Sequence, residues 1–66
     1  MKLLLNGEAT SAPESLSVAD FLDRLGLPRK GIAVELNREI VPKSEYGAIR
    51  LSEGDRLEIV QFVGGG

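Results

Sequence analysis

The sequence predicts an α+β domain in which one amphipathic helix packs across a mixed β-sheet. Three observations support this class: two short strand-like segments flank an Asn6-Gly7 dipeptide, a helical segment with an apolar stripe follows, and the second half consists of short apolar runs separated by turns. Because the helix and the sheet would each be apolar on one side, they must cover one another.

The first two strands are predicted to form a hairpin. Lys2 to Leu5 is a short, largely apolar segment. Asn6-Gly7 is a favoured dipeptide for a type I′ turn, since both residues tolerate positive φ angles. The returning strand would run from Glu8 to Ala12, although its residues have weak β-propensity. Pro13 ends this pattern.

The helix has the strongest signals in the chain. Ser17 is a favourable N-cap, and Asp20 stands three residues later, at the spacing of a capping box. Gly26 is the glycine expected after a helix, and Pro28 prevents continuation. The apolar stripe consists of Val18, Phe21, Leu22 and Leu25. These signals predict a helix from Val18 to Leu25.

Further strands are predicted in the second half, joined by polar turns. They are Gly31 to Asn37, Glu39 to Val41, Ala48 to Leu51, and Arg56 to Val63. The order of hairpin, helix and further strands is that of the β-grasp (ubiquitin-like) fold, in which the first and last strands pair in parallel at the centre of a mixed sheet. A plain α+β sandwich with another strand order is the alternative that fits the same pattern.

Composition excludes several classes of function. The chain has 66 residues, so it forms one domain with a small core and little room for a deep active site. It contains neither Cys nor His, which excludes a thiol nucleophile, an imidazole base and a Cys/His zinc site. We therefore expect a carrier or binding module, not an enzyme, with no catalytic residue of its own.

Charge and the first residues indicate the surroundings in which the protein works. The net charge is −2, with acidic and basic residues interspersed, so neither nucleic acid nor an anionic membrane is an expected partner. The three leucines Leu3 to Leu5 are too few for the core of a signal peptide. A cytoplasmic location is expected.

The chain ends on Gly64 to Gly66, directly after an apolar strand. Glycines cost the most backbone entropy to order and contribute no side chain to a core, which predicts a domain at 1–63 and a flexible tail at 64–66. An inert, frayed end is one interpretation. The other is a reactive terminus: residues 63–66, if extended, would reach about 13 Å and bring the Gly66 carboxylate into a narrow channel of a partner.

Three stretches of the sequence together resemble one known family. They are MKLLLNGE at 1–8, AVELNREIVPKSEY at 33–46 and GDRLEIVQFVGGG at 54–66. They are similar to the ThiS family, the small sulfur carrier proteins of thiazole (thiamine) biosynthesis, and the resemblance extends from end to end. It implies the β-grasp fold and a carrier function.

The resemblance also implies a reaction cycle at Gly66. An E1-like (ThiF-type) adenylyltransferase would adenylate its carboxylate with ATP and Mg²⁺. A sulfur donor such as a cysteine desulfurase would convert it to a thiocarboxylate, and a ThiG-type thiazole synthase would take the sulfur. The residues that enter the partners' active sites would be Gly64, Gly65 and Gly66. The carrier itself would bind no cofactor and no metal, and it lacks a phosphate-binding GxxxxGK[ST] motif.

A docking surface is predicted at Val60, Phe62 and Val63. If Leu57 and Ile59 face the helix, strict alternation places Val60 and Phe62 on the opposite side of the sheet. We expect them to form an exposed apolar patch that binds the adenylyltransferase and the synthase. A second sheet face partly covered by loops is the alternative.

Other functions remain open at this point. The carrier subunit of molybdopterin synthesis shares the fold and the Gly-Gly end. A ubiquitin-like modifier would be joined to lysines of target proteins through Gly66. A plain interaction domain would carry an inert tail.

Overall fold

The computed structural model describes residues 1–62 and contains one helix, one 3₁₀ turn and a single sheet in that part of the chain. The strands are β1 (Lys2–Leu5), β2 (Glu8–Ser11), β3 (Ile32–Leu36), β4 (Glu39–Ile40) and β5 (Arg56–Gln61). The helix α1 spans Val18–Leu25, and the 3₁₀ turn spans Lys43–Glu45.

The strand order is β2-β1-β5-β3-β4, so the final strand lies at the centre of the sheet. β5 runs parallel to β1, with Leu5 opposite Leu57. It runs antiparallel to β3, with Val34 opposite Ile59. The predicted β-grasp topology is therefore confirmed, and the sandwich with another strand order is excluded.

The hairpin turns at the predicted dipeptide. Asn6 has φ 49° and Gly7 has φ 84°, the positive values that a type I′ turn requires at both positions. β2 ends at Ser11, one residue before the predicted end. The next residue, Ala12, is buried and donates its N–H to the carbonyl of Met1 at 2.9 Å, so the pairing continues briefly beyond the strand.

The helix has the bounds and both caps that its sequence predicts. The Ser17 hydroxyl accepts from the Asp20 N–H at 3.0 Å, and the Asp20 carboxylate accepts from the Ser17 N–H at 3.2 Å. The hydrogen bond from the Ser17 backbone is the main cause that lowers the pKa of Asp20. At the other end Gly26 is left-handed, with φ 73°, and its N–H returns to the carbonyl of Asp23.

The core lies between α1 and one face of the sheet. Its most buried side chains alternate along the strands and recur every three or four residues on the helix, as two half-apolar surfaces require. They are Leu3, Val18, Leu22, Val34 and Leu57. Tyr46, in the loop after the 3₁₀ turn, is also buried and packs this loop against the core.

The predicted strand at Ala48 to Leu51 is wrong. This segment crosses the start of α1 and forms only an isolated bridge between Arg50 and Ser17. The Ile49 carbonyl accepts from the Val18 N–H at 3.0 Å, and the Leu51 N–H donates to the Leu16 carbonyl at 2.8 Å. Its apolar residues Ile49 and Leu51 pack against the core because the segment covers one end of it. This packing, and not a place in the sheet, accounts for the apolar pattern that resembled a strand.

Candidate functional site

The final strand β5 has one buried and one exposed face. Leu57 and Ile59 face the helix, with 0% and 8% of their surface accessible. Val60 is 57% exposed and Phe62, just beyond the strand, is 58% exposed. The predicted alternation along β5 is confirmed, and the alternative that loops cover these two side chains is excluded.

The exposed side of β5 belongs to a larger surface, which we call the open sheet face. Cross-strand register places Ala33 opposite Val60, Glu35 opposite Glu58, and Ile40 opposite Glu35. On the β1 side, Leu4 lies opposite Arg56. The open sheet face consists of Leu4, Ala33, Glu35, Ile40, Arg56, Glu58, Val60 and Phe62.

Large apolar side chains are concentrated on this face. Four large hydrophobic residues are exposed among those described, and Ile40, Val60 and Phe62 are three of them. Exposed apolar groups that cluster on one side of a domain, surrounded by charged residues, are typical of a surface that binds another protein.

Asn6 holds β5 close to the point where the chain leaves the sheet. The last register pair between β1 and β5 is Leu5 with Leu57, and the Asn6 N–H still donates to the Leu57 carbonyl at 2.8 Å. The Asn6 side chain extends this pairing, because its Oδ1 accepts from the Ile59 N–H at 2.8 Å and its Nδ2 donates to the Ile59 carbonyl at 3.3 Å. The side-chain amide thus takes the place of a further strand residue. The Asn6-Gly7 dipeptide predicts only the turn, and nothing local in the sequence indicates this second role of Asn6.

A second asparagine has a similar role on the other side of β5. Asn37, directly after β3, accepts from the Arg56 N–H at 3.0 Å and donates to the Asp55 carboxylate at 3.1 Å. Asn37 also has a positive φ, of 52°. β5 is therefore fixed at its start by Asn37 and near its end by Asn6.

A shallow groove lies on the helix side, next to the end of β5. It has a volume of about 280 Å³. Its lining consists of Leu5, Asn6, Leu25, Leu27, Ile59 and Gln61. A larger concavity of about 610 Å³ includes Met1, Glu14 and Arg50, where β1 begins, and is therefore remote from the end of β5.

The described residues contain no group of three or more side chains that could hold a metal ion. No helix in residues 1–62 is long and apolar enough to cross a membrane. The features that distinguish this part of the chain are a fixed central strand and an exposed apolar face.

The remaining predicted site residues, Val63, Gly64, Gly65 and Gly66, lie outside the described residues. The structure brings Val60 and Phe62 together on the open sheet face. Phe62 still donates its N–H to the Gly31 carbonyl at 2.8 Å, so the sheet holds the chain up to the residue that precedes these four.

The described residues form a β-grasp domain with β5 at the centre of its sheet, and Gly64 to Gly66 follow in the sequence. The ThiS family model matches residues 3–66, and the chain belongs to this family. The family that the sequence predicted is therefore confirmed.

Individual relatives agree with this assignment. The sulfur carrier protein ThiS of Bacillus subtilis is 38% identical over 97% of this chain and 98% of its own length. The crystal structure of the thiamine biosynthesis protein ThiS from Geobacter metallireducens superimposes with a TM-score of 0.86 at 33% identity, and the match covers 100% of both chains.

Some relatives are much longer than this chain. A thiazole synthase of Paramagnetospirillum magneticum is 48% identical over 100% of this chain but over only 20% of its own length. The chain thus spans about a fifth of the length of the thiazole synthases that it matches.

Proposed function

We propose that this protein carries sulfur as a thiocarboxylate on Gly66 and delivers it to a thiazole synthase. The observation that carries the proposal is the position of β5 at the centre of the sheet, fixed by Asn6 and Asn37, with the glycine tail following in the sequence. A rigid domain would then present the terminus to its partners. The ThiS family model matches the chain through Gly66, which supports the proposal that Gly66 carries the sulfur.

The chemistry begins with an unreactive group. A carboxylate is a poor electrophile, and an adenylyltransferase would activate it by joining it to the AMP part of ATP, with release of pyrophosphate. A persulfide of the sulfur donor, such as a cysteine desulfurase, would attack the acyl carbon and displace AMP. A thiol would then cleave the sulfur–sulfur bond, leaving the thiocarboxylate on Gly66 and a disulfide on the partner. Mg²⁺ would accompany ATP on the adenylyltransferase.

Delivery would exchange the sulfur for oxygen and regenerate the carboxylate. Thiazole synthase is proposed as the acceptor because relatives with that name contain a region similar to this chain. Gly64, Gly65 and Gly66 would enter the active sites of both partners, since glycine adopts backbone angles closed to other residues and fits a narrow channel. The domain at 1–63 would remain outside, and the cycle would run in the cytoplasm.

The open sheet face would bind the partners. Val60 and Phe62 are exposed beside the end of β5, so a partner docked there lies next to the tail. Val63 is included in this surface as a proposal from the sequence. Aromatic and aliphatic side chains at the centre of an interface commonly supply most of its binding energy.

Intact mass spectrometry tests the proposal. The protein is incubated with the E1-like adenylyltransferase, ATP, Mg²⁺ and the sulfur donor, and we expect the mass change of one oxygen replaced by sulfur, located at Gly66 by fragmentation. Deletion of Gly66 should abolish the change and leave the melting temperature unaltered. A large mass addition on target lysines would indicate a protein modifier instead, and an unchanged mass would indicate an inert tail.

A further inference from the structure

The chain contains two asparagines, and both lie in turns that border β5. Asn6 is followed by Gly7, and Asn37 is followed by Arg38. Asn6 and Gly7 are exposed, and no described residue beyond its chain neighbours lies within 4 Å of the point where a Gly7 side chain would begin. The backbone nitrogen of Gly7 is therefore unshielded, whereas that of Arg38 has a long side chain beside it.

An asparagine that precedes glycine is open to attack by its own backbone. The Gly7 nitrogen attacks the amide carbon of the Asn6 side chain, a carbon–nitrogen bond closes a five-membered succinimide ring, and the amide nitrogen leaves as ammonia with the Gly7 proton. Water then opens the ring at either carbonyl, which leaves aspartate or isoaspartate at position 6. The net change converts an amide and water into a carboxylic acid and ammonia, so water is the only co-reactant.

The folded chain holds this reactive amide in place. Both of its polar atoms bond to the backbone of Ile59, at 2.8 and 3.3 Å, on a strand 53 positions away in the sequence. Ring closure removes the amide nitrogen and turns the carbonyl, so neither bond survives the reaction. The end of β5 must therefore separate from Asn6 first, in a local opening of the kind that native proteins undergo.

We propose that Asn6 is a deamidation site whose reaction is controlled by the attachment of β5. The exposed Asn6-Gly7 turn supplies the chemistry, and the two bonds to Ile59 supply the restraint. Asn37 is attached to the start of β5 in a similar way, but its bulky neighbour Arg38 hinders ring closure. Loss of ammonia is irreversible in water, so the modified form accumulates in molecules whose β5 opens most often.

Either product weakens the restraint that the amide provided. An ionised aspartate only accepts hydrogen bonds, so it can keep the Ile59 N–H but leaves the Ile59 carbonyl facing a second oxygen. Isoaspartate adds one carbon to the backbone between residues 6 and 7, and the two-residue turn that pairs Leu5 with Glu8 cannot absorb an extra atom without a change of register. Modification at position 6 therefore loosens β5 near its end, shortly before residues 63–66 in the sequence.

Peptide mass spectrometry after ageing tests the site. The full chain is incubated in mildly alkaline buffer, either folded or in guanidinium chloride, and the conversion of both asparagines is followed, with aspartate and isoaspartate distinguished by electron-transfer fragmentation. In denaturant we expect Asn6 to convert and Asn37, the internal control, to remain largely unchanged. Conversion of Asn6 should be about tenfold slower in the folded protein, the factor that its two hydrogen bonds contribute to the opening equilibrium.

The consequence is measured on Asn6→Asp and on the isolated isoaspartate form. Aspartate tolerates a left-handed backbone as asparagine does, so Asn6→Asp changes the hydrogen bonding without disturbing the turn. Its equilibrium constant for unfolding should rise about fivefold in urea unfolding, the effect of one lost bond. The isoaspartate form should also lose hydrogen-exchange protection at the Ile59 N–H.

Three results would overturn the inference. If Asn37 converts as fast as Asn6 in denaturant, Gly7 confers no particular reactivity. If Asn6 converts equally fast in the folded and the unfolded chain, β5 exerts no control over the reaction. If Asn6→Asp and the isoaspartate form both match the wild type in stability and in exchange at Ile59, the modification does not loosen the strand. None of these measurements needs the partners of the proposed sulfur cycle, so failure here leaves the proposed function untouched.

Discussion

Replacement of Asn6 tests how strongly the structure fixes β5. Asn6→Ala removes two hydrogen bonds to Ile59, of 2.8 and 3.3 Å. A bond of this kind contributes about 1 kcal/mol and the longer one less, so the loss is about 1.5 kcal/mol. Alanine at φ 49° adds about 1 kcal/mol of backbone strain. The free energy of unfolding should therefore fall by about 2.5 kcal/mol.

Asn6→Gly is the matched control for the two contributions. Glycine removes the same hydrogen bonds but adopts positive φ without strain, so we expect a loss of about 1.5 kcal/mol. The assay is urea unfolding, followed by the fluorescence of Tyr46 and by far-UV circular dichroism. Tyr46 is the single tyrosine of a chain without tryptophan, and it is buried in the folded state.

The two variants refute different parts of the reasoning. If Asn6→Gly unfolds at the same urea concentration as the wild type, the side-chain bonds to Ile59 contribute nothing and Asn6 serves only the turn. If Asn6→Ala and Asn6→Gly are equally stable, the left-handed backbone of the turn carries no measurable strain. If fluorescence and circular dichroism give different transitions, unfolding is not two-state and the free energies do not apply.

Further predictions concern the core, the docking surface and the helix cap. Leu57→Ala should lower the free energy of unfolding, measured by urea unfolding, by about 2–5 kcal/mol, because the side chain is fully buried in the central strand. An unchanged stability would contradict the burial of Leu57. Phe62→Ala should weaken binding to the adenylyltransferase and the synthase at least tenfold in titration calorimetry with little change in melting temperature; unchanged affinities would exclude it from docking. The pKa of Asp20 is lowered in the folded state, so its cap should stabilise the fold at pH values above the ordinary pKa of 3.8 and lose that effect as the pH falls through the folded pKa. Asp20→Asn should therefore make the urea midpoint less dependent on pH in this acid range. A pH profile identical to that of the wild type would contradict the cap's contribution.

Local signals in the sequence were sufficient for the hairpin and the helix. The Asn6-Gly7 turn and the Ser17 to Asp20 capping box each depend on interactions within four residues. Distant contacts therefore have little effect on whether the turn and the helix start form where the sequence predicts them. The parallel pairing of β1 and β5 follows from the order of the elements, which is that of the β-grasp fold. The exposure of Val60 and Phe62 followed from strict alternation once Leu57 faced the helix.

Features that depend on register between distant strands could not be predicted. The opposition of Glu35 and Glu58 requires the exact pairing of β3 with β5, which no local pattern specifies. The bonds of Asn6 to Ile59 join residues 53 positions apart. Ala48 to Leu51 was misassigned because an apolar segment that closes a core has the same composition as a short strand. The predictions for Val63 to Gly66 concern residues outside the described part of the chain and stay predictions.

The central claim is that the chemistry takes place at the carboxylate of Gly66. The most direct test is a semisynthetic protein whose C-terminal carboxylate is converted to an amide, with the rest of the chain unchanged. Supplied with adenylyltransferase, ATP, Mg²⁺, sulfur donor and thiazole synthase, the unmodified protein should support formation of the thiazole product, and the amide should support none while folding and docking equally well. Product formation with the amide at the rate of the unmodified protein would contradict the claim.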